Sequence, residues 1–155
     1  MIDNPLNAAD QVLIARLGTI VPANGYLTDL GTRIHTEWIG ALLDAEEITY
    51  PCITIQPDEY PAPSSGGDDY LVYMGRRIIG LADPGHPNGC LAQLNDIYVD
   101  LLRCLHVPEG MPNPWGPKGP RKVTFKPTQP FLPDKEVPKG TVVIPVQLHV
   151  VVNGA

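Results

Sequence analysis

The chain has 155 residues, 43% of them hydrophobic, which suits one domain large enough to bury its own core. Its net charge is −6, which argues against free nucleic acid as a general surface ligand, and its 18% of charged residues is low for a free monomer. Three widely spaced cysteines, Cys52, Cys90 and Cys104, argue against a disulfide scaffold and for a reducing cytoplasmic origin. The opening MIDNPLNAAD lacks the basic and apolar regions of a signal peptide, and no apolar run approaches the roughly 18 residues of a membrane span, so a soluble protein is expected.

The first predicted element is a helix in NPLNAADQVLIARLG. Asn4 can cap it, Pro5 suits its first turn, and Leu6, Ala9, Leu13 and Leu17 share one face. Strands follow. TRIHTEW places Ile34, Thr36 and Trp38 on one side; YPCITIQP is short, β-branched and bounded by Pro51 and Pro57, which favours an edge or a short strand. DDYLVYMGRRIIGLA is longer, with Gly75 marking a bulge or a close approach.

The turn cluster ADPGHPNG leads to the clearest helix, CLAQLNDIYVDLLRCL, with Asn88 as candidate cap. Leu91, Leu94, Ile97, Tyr98, Leu101, Leu102 and Leu105 form its apolar stripe, with Gln93, Asp96, Asp100 and Arg103 mostly outside. Residues 106–138 hold nine of the 18 prolines and read as a long arm, within which RKVTFKP can be extended. GTVVIPVQLHVVV closes the chain as a strand whose Pro145 hints at an edge or a bulge. The expected fold is a single α+β domain over 1–155: a mostly antiparallel sheet, two main helices packed on it, and a Pro-rich arm before the last strand.

Between Lys118 and Lys139 six bases face two acids, so this segment carries +4 and the remainder −10. A basic arm on an acidic body can lie on a neighbouring copy; a solvated loop is the plainer alternative.

Chemical motifs are sparse. There is no phosphate loop and no nucleophile elbow, and His35, His86, His106 and His149 are scattered without zinc-ligand spacing, so no cofactor is expected. Two carboxylate pairs, Asp58–Glu59 and Asp68–Asp69, flank the YPAPSSGG loop. They offer an alternative of another class, a small enzyme or ligand-binding domain on the 58–69 loop.

GYLTDLGTRI, YPCITIQPDE, YLVYMGRRIIGLAD and LAQLNDIYVDLLRCL stand in an order that resembles the tail terminator (tail completion) proteins of long-tailed bacteriophages. The matching positions are Tyr26, Asp29, Gly31 and Ile34, then Pro51, Ile53 and Ile55, then Asp96 and Ile97. The likeness spans roughly residues 5 to 151, and the long Pro-rich segment departs from it.

The resemblance implies a structural virion protein without an active site, located in the tail or neck and in the host cytoplasm during assembly. Such proteins form a ring, usually a hexamer, on the head-proximal end of the tail tube; they stop its polymerisation and present the docking surface for the head connector. Its partners would be itself, the tail tube protein, the connector and, in a contractile tail, the sheath. DNA would pass through the lumen without sequence reading, and no membrane is involved. A head–tail connector or stopper subunit is the nearest alternative. Expected interface residues are Arg76 and Arg77, the 58–69 loop, and Lys118, Arg121, Lys122 and Lys126 on the basic arm. Trp115 is a candidate anchor in a partner's pocket, with packing on its own domain as the alternative.

Overall fold

The Asn4 side chain accepts hydrogen bonds from the Leu6 and Asn7 amides at 2.9 and 3.3 Å and so starts helix α1, Pro5–Leu17, where the sequence places it. The protein is described from a computed structural model at residues 4–36, 39–44, 48–83, 89–110, 112–133 and 139–154. Ala9, Leu13 and Leu17 are buried along one face of α1, as the four-residue spacing requires.

Strand β1 is only Ile34–His35, shorter than expected; Glu37 and Trp38 lie outside the described residues. A short helix α2, Ile39–Asp44, follows, unannounced by the sequence pattern. After a cis Tyr50–Pro51 peptide, β2 runs Cys52–Pro57. β3, Ser64–Gly66, turns through Gly67 and Asp68 into β4, Asp69–Leu81. Helix α3 is Cys90–Leu105; Asn88, its candidate cap, is outside the described residues, as is His86. Strands β5, Lys122–Phe125, β6, Gln129–Phe131, and β7, Thr141–Asn153, complete the chain.

The strands form one sheet of order β1-β2-β4-β7-β5, with β3 also on β4 and β6 also on β7. Only β1–β2 is parallel; the other pairings are antiparallel. This is the expected α+β fold with a mostly antiparallel sheet. Its spine is the β4–β7 ladder, paired from Asp69↔Asn153 to Leu81↔Thr141. One sheet face carries Ile53, Ile55, Met74, Ile78 and alternate β7 residues from Val142 to Val150. These join Leu13 and Leu17 of α1 and Leu94, Ile97 and Leu101 of α3 in a single buried cluster.

Two expectations about proline need correction. β7 is interior, between β4 and the β5/β6 pair, although it contains Pro145. The gap on its β5/β6 side explains this. β5 pairs with Val146 to His149 and β6 with Thr141 to Val143, so Pro145 sits where that side has no opposing strand. The missing N–H therefore breaks no ladder bond, and the Pro145 carbonyl still accepts from the Lys126 amide at 2.9 Å.

The Pro-rich arm is also not free. Residues 113–120 fold on themselves: the Asn113 side chain accepts from the Trp115 amide at 2.9 Å and donates to the Pro120 carbonyl at 2.8 Å. RKVTFKP, read as extended, supplies β5, and the segment continues into β6. Residues 134–138 lie outside the described residues.

Gly75 marks a close approach. The backbone of Asp58 and Glu59 crosses over it, the Asp58 amide donates to its carbonyl at 3.2 Å, and a Cβ would meet the Glu59 carbonyl.

Candidate functional site

Four of the residues that carry the sequence resemblance, Tyr26, Asp29, Gly31 and Pro51, lie in the corner formed by the end of α1, the 19–33 segment, the start of β2 and the middle of α3. At its centre is Asp100 of α3, fully buried. Its carboxylate accepts from the Leu27 amide at 2.9 Å, and from the Thr28 amide and hydroxyl at 2.7 Å each. Three donors aimed at one buried carboxylate meet its solvation need and fix the 27–28 segment on the helix.

The motif residues surround this anchor. The Gly31 amide donates to the Ile20 carbonyl at 2.8 Å, and a Cβ on Gly31 would lie 2.6 Å from the Gly18 carbonyl oxygen. Only glycine lets these two backbones pass so closely. Asp29 pairs with Arg33, whose Nε donates to the Pro51 carbonyl at 2.7 Å. Tyr26 packs against the core, where burial raises its pKa, with Cys104 adding to the rise. Arg16 and Cys104 join the ends of the two main helices. The Arg16 Nε donates to the Cys104 carbonyl at 3.0 Å, and the Cys104 thiol donates to the Arg16 carbonyl at 3.1 Å. Tyr26, Asp29, Gly31 and Pro51 are thus framework.

Asp100, expected outside the apolar stripe of α3, lies three residues after Ile97 and one before Leu101, inside the buried face. The helical spacing itself was the signal that could have found it. Gln93 is likewise buried and accepts from the Asp83 amide. Leu91, assigned to the stripe, is 62% exposed.

The expected interface residues divide. Arg76 points to the helix side of β4 and grips Asp10 of α1 through two hydrogen bonds of 3.0 and 2.9 Å, with the Tyr60 hydroxyl at 2.7 Å. Burial works against its charge, but Asp10 and Tyr60 outweigh this and raise its pKa. It is a tie between β4 and α1, not a free contact residue.

Arg77, one residue on, faces the opposite side, exposed beside Asp58 at 3.6 Å. Trp115 is corrected as a partner anchor. It is 4% exposed in the protein's own core, with the Arg16 guanidinium 5.9 Å over its ring. Lys118, Arg121 and Lys122 are exposed and Lys126 half-buried; none of the four makes an ion pair among the described residues.

The acids of the 58–69 loop do not converge. Asp58 leans on Arg77 at the exit of β2, Glu59 is exposed beside it, and Asp68 and Asp69 sit at the tip of the β3–β4 hairpin. Among the described residues no three His, Cys, Asp or Glu side chains gather to hold a metal ion. A cleft of about 500 Å³ opens between α1 and β2, but its charged wall is the mutually neutralised Asp10–Arg76 pair.

On the helix-free face, His149 stacks edge-on against Tyr73, with centroids 4.9 Å apart, and its Nε2 lies 2.7 Å from the Thr124 hydroxyl. Burial, reinforced by the Lys122 charge, lowers its pKa.

No protein-family model matches the chain, and the comparison with curated proteins gives no match. Among the described residues no helix is long and apolar enough to cross a membrane.

Proposed function

We propose that the protein is a structural subunit of a phage virion. It caps the head-proximal end of the tail tube as a ring, stops tube polymerisation and presents a docking surface to the head connector. The observation that carries this reading is the packing of the corner at Asp100. The residues resembling the tail terminator pattern, Tyr26, Asp29, Gly31 and Pro51, surround or brace one buried anchor, as fold-defining residues do, and leave the chain's free charges to outlying surfaces. Capping requires complementary surfaces between copies and with the tube.

The test is genetic and visual. Phage lacking this gene product are expected to produce overlong tails, and purified protein added to growing tubes is expected to halt them. Tails of normal length that fail to join heads would instead assign the chain to the connector or stopper. Normal, infectious particles without the protein would sink both assignments.

A further inference from the structure

Among the described residues β3 and β5 lie on opposite sides of the β4–β7 ladder, each paired along one edge alone, and the segments around them carry opposite charge. β3 pairs only with β4, on the side away from β7, so its outer edge is open. β5 pairs only with β7, so its outer edge is open on the other side. Residues 58–75, which contain β3 and the start of β4, include four acids and no base; residues 118–126, which contain β5, include four bases and no acid.

Among the described residues most of these charges have no internal ion-pair partner, although Arg121 reaches over β7 to line a shallow pocket with Ser64, Ser65, Gly66 and Asp69 of its own chain. Of the four acids only Asp58 makes an ion pair, and Lys118, Arg121, Lys122 and Lys126 make none among the described residues.

The acidic edge is also built to hold its shape. The Gly154 amide donates to the Asp68 carbonyl at 2.8 Å, so the end of β7 backs the hairpin turn. Ser64, Ser65 and Gly66 are small and exposed, which leaves the β3 backbone open to approach by another strand. Lysines along an edge ordinarily keep stray strands away. The β5 edge, with Lys122 and Lys126, therefore excludes a neutral strand more than one that brings carboxylates.

We propose that the chain associates head to tail with copies of itself, the acidic β3 hairpin of one copy lying along the basic β5 edge of the next. This rests on the ring reading and specifies its contact. Two different surfaces of one chain meet at every junction, so the contact repeats around a ring and leaves no free edge when the ring closes.

The experiment measures self-association of the full chain by native mass spectrometry and sedimentation at low and high salt, with circular dichroism as the check on folding. The wild-type chain is expected to form a closed oligomer that salt weakens. Reversing either edge, with D68K and D69K together or with K122E and K126E together, is expected to weaken association on the order of 10- to 100-fold, because like charges then face each other. A chain reversed on both edges, or an equimolar mixture of the two reversed chains, is expected to regain assembly. A closed oligomer indifferent to either reversal, or a loss that reversing both edges does not restore, overturns the edge contact and leaves the ring reading standing. A wild-type chain that stays monomeric at every concentration overturns both.

Discussion

Asp100 and Thr28, 72 residues apart in sequence, are joined twice: the Thr28 amide and hydroxyl both donate to one carboxylate oxygen at 2.7 Å. The second oxygen takes the Leu27 amide, so the helix holds the 27–28 segment through a fully buried carboxyl group. Asp100→Ala leaves three donors without an acceptor and is expected to cost about 3–5 kcal/mol in urea unfolding. Asp100→Asn keeps one acceptor oxygen and is expected to cost less, about 1.5–3 kcal/mol. Equal stability of the three proteins would show that the carboxylate is not the anchor.

Gly31 tests the same corner from the backbone side. The atom a methyl would strike is the Gly18 carbonyl oxygen, at 2.6 Å, and a backbone group fixed at the end of α1 cannot rotate away as a side chain does. Gly31→Ala is expected to destabilise by roughly 2–3 kcal/mol through forced separation of the two segments. Gly66→Ala, where a Cβ meets nothing within 4 Å, is the control. Thermal unfolding of both variants decides, and equal melting temperatures would count against the close approach.

What the sequence made legible follows from how local each signal is. The cap at Asn4, the apolar face of α1 and most of the apolar stripe of α3 are short-range patterns, and the structure repeats them. Pro145 misled because the rule against proline inside a sheet concerns a particular N–H. Whether its absence removes a bond depends on where β5 stops and β6 begins, in segments 14 or more residues earlier in the chain.

The arm misled for a related reason. Prolines suppress regular patterns, so a tight loop that buries Trp115 and then adds two short strands has no periodic signature. For the candidate surface, the charge imbalance of 118–139 was plain in the sequence. That Lys122 and Lys126 border β5 while Asp68 and Asp69 sit at the tip of the β3–β4 hairpin, across the β4–β7 ladder, required the strand order.

The three cysteines are expected to differ sharply in reactivity. Burial pushes the Cys52 thiol up to about 11, with Arg33 opposing the shift, and burial likewise raises Cys104, which donates to the Arg16 carbonyl. The thiolate is the reactive species, so neither should be alkylated at neutral pH while the fold is intact. Cys90, at the start of α3, is only partly buried. Mass spectrometry after brief iodoacetamide treatment is expected to show one adduct, at Cys90, and three adducts after denaturation. Rapid native labelling of Cys52 would contradict the packing of β2.

His149 gives a pH dependence of stated sign. Burial, with the Lys122 charge beside it, lowers its pKa below the ordinary 6.5, so the folded protein binds a proton there less readily than the unfolded chain. Its contribution to stability is therefore fully present above about 6.5 and is lost as pH falls through the lowered folded value. Lys122→Ala removes the nearby positive charge and is expected to move the His149 titration upward while burial keeps it below normal. His149→Gln is expected to flatten the stability profile just below pH 6.5. The imidazole proton shifts followed by NMR, with unfolding curves across the same range, measure both effects. A titration above the ordinary value in the wild-type protein would mean that His149 gains a proton more readily on folding, and the slope of stability with pH would then reverse.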